Sequence, residues 1–333
     1  MRPRRGILLP LALLVLWHLG FLCAGFLAPY DPGEQARELP YAAPARWQFR
    51  SLRPYACETI DPQSAGDNPQ ASCYPIRFLV RGWPYRFFGI SCNLHLFGVA
   101  SPRRVAIIGA DAYGRDVWSR LLFGGRISLA IGLLATLISL AVAMVIGTVS
   151  GYYGRWTDEL LMAGAELFLI VPWLYSLLAL RAMLPLHLSV SATFLLVVSV
   201  IASLGWARPM RLIRGVVLSA RERNYVLAAR GFGASDAYLL RRHVAPATSG
   251  VLLTQATLLV PQFVAAEAAL SFFGLGISEP ASSWGNMLAV LQQYSVLISY
   301  WWMLAPAFAL VITSVMYCWL AQAIQRSLKS SST

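Results

Sequence analysis

Long apolar runs alternate with shorter polar stretches along the whole chain. Six of these runs are close to the roughly 20 apolar residues that a helix needs to cross a bilayer core. They cover 7–29, 127–150, 158–183, 190–207, 247–270 and 298–322. A single run of this kind also fits a buried helix of a soluble protein, but six in one chain favour membrane spans. The pattern therefore predicts an all-α polytopic membrane protein with six transmembrane helices.

The first run follows Arg2, Arg4 and Arg5, a beginning that also fits a secretory signal peptide. The run continues beyond the usual length of a signal-peptide core, and no small-residue cleavage site is evident after it. We therefore expect 1–30 to stay in the protein as the first transmembrane helix.

The composition supports a membrane protein and excludes one class of ATPase. The chain is 57% hydrophobic and 13% charged, against about 25% charged residues in an average soluble domain. Its net charge of +12 comes almost wholly from arginine, and Lys329, in SLKSSST, is its only lysine. A Walker A motif needs a lysine after a glycine-rich loop. The chain is therefore not a P-loop ATPase, and we predict that it is not an enzyme.

The arginines are divided among the loops, which favours membrane orientation over nucleic-acid binding. The loop 208–246 carries eight arginines against Glu222 and Asp236, and short arginine-rich loops stay in the cytoplasm. Six spans place this loop and both termini on that side. Residues 31–126 then lie outside despite their arginines, because loops longer than about 60 residues escape the charge rule. We expect a multi-pass protein of the cell inner membrane.

Residues 31–108 form an extracytoplasmic insertion that is rich in turn-forming residues and holds short strands, such as IRFLV at 76–80. An oxidising outer compartment permits a disulfide among its three cysteines. We favour the pair Cys57–Cys73, because it closes the most turn-rich segment, 61–70. Three unpaired cysteines are the alternative.

No metal or cofactor site is predicted. Cys92 and His95 lie near each other in the insertion, but two ligands do not make a metal site.

The cytoplasmic loop 219–246 has the features of two short helices. Gly231 and Gly233 each weaken a continuous helix by about 1 kcal/mol relative to alanine, so we expect a break there. Ser235 suits the N-cap of the second helix. The loop therefore predicts a compact helix–turn–helix between the fourth and fifth spans.

The spacing within YVLAARGFGASDAYLLRRHVAP resembles the cytoplasmic EAA loop of ABC-importer permeases, most closely those of the dipeptide/oligopeptide class. In that family the loop docks on an ATPase subunit. The residues that the resemblance assigns to the coupling loop are Tyr225, Leu227, Ala228, Ala229, Arg230, Gly233, Ala234, Ser235, Asp236, His243 and Pro246. The family usually has glutamate where this chain has Leu227, which removes an acidic contact with the ATPase.

Further segments resemble the same family. The stretch 109–126 resembles the approach to the second span, and its mixed charged and apolar residues predict an amphipathic interfacial helix. The positions that match the family there are Asp111, Gly114, Arg115, Asp116, Ser119, Arg120, Gly125, Arg126, Ile127 and Ser128. The segments 151–162 and 266–288 are also similar to the family. A permease core of five spans over 127–325 follows.

The resemblance implies the fold of type I ABC-importer permeases. It also implies a permease subunit of an ATP-driven, binding-protein-dependent importer that forms half of the translocation pore. Di- or oligopeptides are the solutes that the resembling class mainly carries, and nickel, glutathione or another small molecule are the alternatives, because relatives carry those. The implied partners are a second homologous permease subunit, two cytoplasmic P-loop ATPase subunits, an extracytoplasmic solute-binding protein and membrane lipid, with no cofactor and no nucleic acid.

The alternative is a secondary transporter or channel that is independent of ATP. That class predicts inverted repeats or discontinuous helices with intramembrane charges, and it leaves the cytoplasmic loop without a role.

Glu166 and Glu267 are acids inside apolar runs. A charge at the bilayer centre costs roughly 2.5–3.5 kcal/mol on insertion scales, so such residues usually face a bundle interior or an aqueous path. We predict that they line or gate the pathway, with an interhelical hydrogen bond as the alternative. Pro172 and Pro261 are expected to kink their spans.

Overall fold

The computed structural model describes residues 5–50, 53–57, 73–87, 89–99, 104–185 and 188–330. Arg2, Arg4 and the segment 61–70, on which parts of the orientation and disulfide predictions depend, lie outside the described residues.

The chain divides into two compact units. The first, which we call the helical unit, comprises Met1–Leu14, Ala130–Leu270 and Ile312–Thr333. The second, which we call the mixed unit, comprises Val15–Leu129 and Ser271–Val311 and contains the strands.

Most of the described chain is helical. The α-helices, in chain order, are α1 (Arg5–Leu22), α2 (Ala24–Leu27), α3 (Val117–Tyr153), α4 (Arg155–Ile170), α5 (Trp173–Ala182), α6 (Val190–Gly205), α7 (Ala207–Arg221), α8 (Asn224–Gly231), α9 (Asp236–Leu239), α10 (Ala245–Ala247), α11 (Ser249–Phe272), α12 (Trp284–Ala289), α13 (Tyr294–Ser299) and α14 (Ala305–Ser330). A π-helical turn, Leu240–Val244, joins α9 to α10, and 3-10 turns, Val290–Gln292 and Trp301–Leu304, follow α12 and α13.

The six predicted spans correspond to these helices only in part. Three described segments, in α3, in α11 and at Trp301–Leu328, are long and apolar enough to cross a membrane by themselves. The pair α4 and α5, bent by 87°, and the pair α6 and α7, bent by 45°, raise the number to five if each pair is one span. The apolar helix Gly6–Leu22 is shorter. The sharper bend lies at Val171 and Pro172, where the proline ends the first helix as predicted.

The core of the helical unit is organised by close contact between α3 and α7. A Cβ built on Gly147 would lie 2.7 Å from the carbonyl oxygen of Met210, and one on Gly151 would lie 2.8 Å from that of Arg214. Only glycine therefore lets the two backbones approach this closely. The buried residues of this core are Ala143, Tyr152, Ala165, Ala207, Met210, Ile213, Val217, Val226, Leu239 and Val244.

The insertion contains two small antiparallel sheets, in agreement with the short strands predicted there. The strands are β1 (Arg46–Arg50), β2 (Arg53–Cys57), β3 (Cys73–Pro75), β4 (Arg77–Phe87) and β5 (Ile90–Gly98). One sheet has the order β1-β2-β3, and β4 pairs with β5 as a hairpin. The expected strand at 76–80 overlaps the beginning of β4, which starts at Arg77. Cys57 lies opposite Cys73 in the register of β2 and β3, and the two are joined by a disulfide bond.

The predicted interfacial helix over 109–126 begins only at Val117, and it continues without a break as α3. The preceding residues instead form a turn around Asp111, whose Oδ1 accepts the backbone N–H groups of Tyr113 and Arg115. Asp116 is placed as the N-cap of α3, because its Oδ2 accepts the backbone N–H of Ser119 at 2.8 Å. The local turn chemistry outweighs helix propensity here.

A helix cap also determines the conformation of the segment SSWGN, residues 282–286, in the mixed unit. Ser283 and Asn286 form a capping box at the start of α12, each side chain accepting the other's backbone N–H. Trp284 is fully buried, and its indole Nε1 donates to the carbonyl oxygen of Leu121 at 3.1 Å. Its backbone N–H donates to Ser128 Oγ at 3.2 Å. The motif therefore anchors the loop after α11 to the beginning of α3.

Candidate functional site

The arginine-rich loop between α7 and α11 has the helix–turn–helix form that the sequence predicts. The α8 helix ends at Gly231, and α9 begins at Asp236 after a short turn. Ser235 is the N-cap of α9 and accepts the backbone N–H of Tyr238, as predicted. The expected first helix differs in one respect, because Glu222 and Arg223 separate α7 from α8.

The turn is a Schellman motif, in which the last turn of a helix closes on a left-handed residue. The backbone N–H of Gly233 donates to the carbonyl of Arg230 at 3.0 Å, and that of Ala234 donates to the carbonyl of Ala229 at 3.1 Å. Gly233 has a φ of +84°, which glycine adopts without strain. Ala229 and Ala234 pack against the core of the helical unit. The spacing between the alanine pair and the glycine thus has a conformational cause.

One face of the loop is fixed by apolar packing. Val226, Leu239 and Val244 are buried and belong to the same core as the α7 residues Met210 and Ile213. Each fully buried aliphatic side chain contributes about 1.5–3 kcal/mol relative to an exposed one. The loop is therefore part of the folded helical unit.

Several large apolar side chains of the loop are exposed. Phe232, next to Gly233, is 93% exposed, and Tyr225, Leu227 and Tyr238 are each about half exposed. We call these four residues and Ala228, which is also exposed, the apolar loop face. Clustered apolar side chains on a surface mark a contact site for another molecule.

Tyr152 of α3 forms hydrogen bonds to one residue on each side of the turn between α8 and α9. The hydroxyl of Tyr152 donates to Asp236 Oδ1 at 2.6 Å and accepts from Nη2 of Arg230 at 2.9 Å. The guanidinium of Arg230 also lies over the Tyr152 ring, 5.5 Å from its centroid. The hydrogen bond to Tyr152 raises the pKa of Arg230, which remains charged.

The remaining predicted residues of the loop have distinct environments. The ring of His243 lies 5.6 Å from that of Tyr225 and 5.8 Å from that of Tyr238, between centroids. Pro246 is exposed within α10, so the chain turns into α11 three residues later than that proline. Leu227 is exposed and lies on the apolar loop face.

The sequence did not predict the contacts that join α7, the helix leading into this loop, to α3 and α4. Arg221 donates to the carbonyl oxygens of Gly151 and Tyr152 at 3.0 and 3.2 Å. Arg214 forms an ion pair with Asp158, at the start of α4. The segment 151–162 resembles the family, but its sequence alone does not predict the partner of each side chain.

The two acids of the apolar runs are placed differently. Glu267 is fully buried in α11, whereas Glu166 is exposed on α4 in the isolated chain. Both belong to the helical unit.

The described residues contain no group of three or more side chains that could hold a metal ion. Cys92 and His95 do not form such a site, because the ring nitrogens of His95 face the carbonyl oxygens of Ala28 and Trp83 at 2.8 and 3.0 Å.

Comparisons with known proteins assign the sequence to a family. Residues 143–330 match the family model described as the binding-protein-dependent transport system inner membrane component. A putative peptide permease protein from Brucella ovis is 40% identical over 205 residues, which are 61% of this chain and 66% of that protein. The dipeptide transport system permease protein DppC from Bacillus subtilis is 36% identical over 221 residues, which are 66% of this chain and 67% of DppC.

The alignment thus spans slightly less than two thirds of the length of the Brucella relative. Among solved structures, the inward-facing MetNI methionine ABC transporter is 16% identical and covers 62% of this chain and 95% of its own, with a TM-score of 0.49. The family model covers more than half of the 333 residues, including the loop between α7 and α11. The chain therefore belongs to the family of binding-protein-dependent transport system inner membrane components.

Proposed function

We propose that the chain is the permease subunit of an ATP-driven, binding-protein-dependent importer, and that it forms half of the translocation pore. The observation that carries this proposal is the apolar loop face, which is displayed on a folded helix–turn–helix at an arginine-rich loop. An apolar patch on a rigid scaffold suits docking of another protein. Family membership supports the same function.

We propose that the loop 219–246 docks on a cytoplasmic P-loop ATPase subunit. The chain supplies no Walker A lysine, so the ATP hydrolysis of this proposal belongs to a partner subunit. The full assembly would contain a second homologous permease subunit, two ATPase subunits and an extracytoplasmic solute-binding protein.

Di- or oligopeptides are the proposed solutes. The support is the naming of the relatives, which include a putative peptide permease and dipeptide and oligopeptide transport system permeases.

The proposed orientation in the inner membrane places both termini and the loop 219–246 in the cytoplasm. The insertion 31–108 lies outside. A disulfide between Cys57 and Cys73 supports this orientation, because disulfides persist in oxidising compartments.

The proposed division of the chain follows from this orientation. The segment 1–30 forms the first span, 109–126 is the approach to the second, and 127–325 is the permease core. Within that core, Glu166 and Glu267 line or gate the pathway, because acids in apolar helices are stable where they face water or a buried partner.

Co-purification tests the proposal directly. The chain is co-expressed with candidate ATPase, permease and binding-protein subunits of its own organism, and it is solubilised in mild detergent. We expect a P-loop ATPase to elute with the chain and to hydrolyse ATP faster when peptide-loaded binding protein is added. Solute transport by the chain in proteoliposomes without any ATPase would instead support a secondary transporter or channel.

A further inference from the structure

The end of α3 contacts the loop through hydrogen bonds of Tyr152, whereas the other core contacts of the loop are apolar. Val226, Leu239 and Val244 hold the loop by apolar burial, which has no preferred direction. The Tyr152 hydroxyl instead bridges Arg230 on α8 and Asp236 on α9 at 2.9 and 2.6 Å. Hydrogen bonds to charged groups are directional and stronger than neutral ones. Tyr152 therefore fixes the lateral position of both short helices.

The hydroxyl of Tyr152 joins two charged side chains that interact only weakly with each other. The distance from Nη2 of Arg230 to Oδ1 of Asp236 is 3.9 Å, and both side chains are about half exposed. Such a pair in water contributes little and is easily displaced. Tyr152 is only 6% exposed, so its hydroxyl is a fixed point between the two. Within residues 224–246, the described side-chain hydrogen bonds to α3 all end on this hydroxyl.

The end of α3 is itself fixed to the body of the helical unit. Arg221 donates to the carbonyl oxygens of Gly151 and Tyr152. Ser150 donates to Asp158, the α4 carboxylate that also pairs with Arg214. Movement of the turn that reaches Tyr152 would therefore reach α4 and α7 together.

We infer that Tyr152 is a positioning residue that transmits displacement of the loop to α3, by way of Arg230 and Asp236. The inference rests on the proposed docking of this loop on an ATPase. It assigns the transfer of movement to one hydroxyl group, whereas the apolar loop face serves to bind the partner. Loss of that hydroxyl should leave the ATPase bound and separate its activity from transport.

The test uses the complete complex, with its ATPase and binding-protein subunits, reconstituted in proteoliposomes. Tyr152→Phe removes the hydroxyl and keeps the buried ring. The matched control is Tyr153→Phe, because Tyr153 is the neighbouring tyrosine and is half exposed. Uptake of a defined mixture of di- to pentapeptides is measured by mass spectrometry, together with ATP hydrolysis and the amount of ATPase that co-purifies.

We expect Tyr152→Phe to retain the ATPase at wild-type stoichiometry but to transport roughly tenfold less peptide per ATP hydrolysed, as loss of hydrogen bonds to charged groups suggests. The control should match the wild type. Asp236→Ala should cause a similar loss, and the double variant should lose no more than either single variant, because the residues act through one contact.

Wild-type uptake per ATP in Tyr152→Phe would overturn the inference and leave the docking proposal standing. Loss of the bound ATPase from Tyr152→Phe would also overturn it, because the residue would then serve assembly only. Additive losses in the double variant would contradict the shared contact. A wild-type complex that binds no ATPase, or that takes up no peptide, contradicts the proposed function itself.

Discussion

Arg120 and Asp111, nine residues apart in the chain, form a buried ion pair with 2.9 Å between Nη1 and Oδ2. The same Oδ2 atom accepts from Nε of Arg115 at 2.7 Å, and both arginines also donate to Glu279. Burial alone lowers the pKa of Arg115, but the charges of Asp111 and Glu279 raise it above its ordinary value. Two positive and two negative side chains thus balance within the mixed unit.

Asp111→Asn should destabilise the mixed unit strongly. Asparagine can still accept the backbone N–H groups of Tyr113 and Arg115, so the turn is retained. The two buried arginines lose half of their compensating charge, and breaking a buried ion pair on one side costs about 3–5 kcal/mol. Denaturant unfolding of the protein in detergent measures this loss.

Glu279→Gln is the matched control for that measurement. It makes the same change of charge in the same network, but the Glu279 side chain is 48% exposed and that of Asp111 is 6% exposed. We expect it to cost about 1 kcal/mol, because solvent screens the exposed partner. Equal losses in the two variants would show that burial of Asp111 does not set the energy of the network.

Asp116 should make the stability of the protein depend on pH. Burial raises the pKa of this N-cap carboxyl to about 6, although Ser119 donates two hydrogen bonds to it. An acid with a raised pKa in the folded state binds its proton more tightly when folded. Its contribution to stability is complete below a pH of about 4 and is lost as the pH rises through about 6.

The free energy of unfolding should therefore rise by about 1–2 kcal/mol from pH 7.5 to pH 5 because of Asp116. Asp116→Asn keeps an N-cap acceptor but has no proton to bind, so this part of the pH dependence should disappear. The measurement is the difference between wild type and variant at each pH. An identical pH dependence in both proteins contradicts the raised pKa.

Hydropathy located most of the helices because it is a local property. The apolar runs at 127–150 and 247–270 correspond to α3 and α11, and the run at 158–183 was correctly expected to bend at Pro172. The bend after Gly205 also has a local cause that the prediction missed, because Pro209 cannot donate to the carbonyl of Gly205, four residues earlier. The insertion sheets depend instead on pairing between distant residues, which a single sequence does not specify.

Part of the candidate site was also predictable. The glycine break and the Ser235 cap follow from backbone preferences of single residues. The contacts of Tyr152 do not, because Arg230 and Asp236 lie 78 and 84 residues further along the chain. The sequence resemblance marked Asp111 and Arg120 as well, but only the structure shows that they neutralise each other.

Cys57 and Cys73 should resist thiol alkylation until a reductant is added. Peptide mapping of the unreduced protein checks the disulfide, and Cys92, which is a free cysteine, serves as the internal control because it should react. A bridge that closes a loop of this length contributes about 3 kcal/mol in the chain-entropy model. Cys57→Ser should therefore loosen the insertion, with little effect on the helical unit. Free thiols at both positions in unreduced protein would eliminate the disulfide.

Gly233→Arg should abolish transport while the helical unit stays folded. The turn occupies a φ of +84°, and a Cβ built on Gly233 has no atom of the chain within 4 Å. A side chain there causes no internal clash, so its cost to folding is the backbone strain of about 1–2 kcal/mol. Its bulk would instead project beside Phe232, on the surface that we propose as the ATPase contact. Uptake and binding-protein-stimulated ATP hydrolysis should fall to background.

Gly233→Ala separates obstruction from backbone strain. Alanine imposes the same left-handed strain but adds one methyl group, so most of the transport activity should remain. Leu227→Ala removes one side chain of the apolar loop face but no acidic contact of the family's kind, so its effect stays smaller than that of Gly233→Arg. The measurement is peptide uptake by the reconstituted complex, with circular dichroism to verify folding. Equal loss in the alanine and arginine variants would identify the backbone of the turn, rather than its surface, as the critical feature. Wild-type uptake by Gly233→Arg would refute docking at this turn.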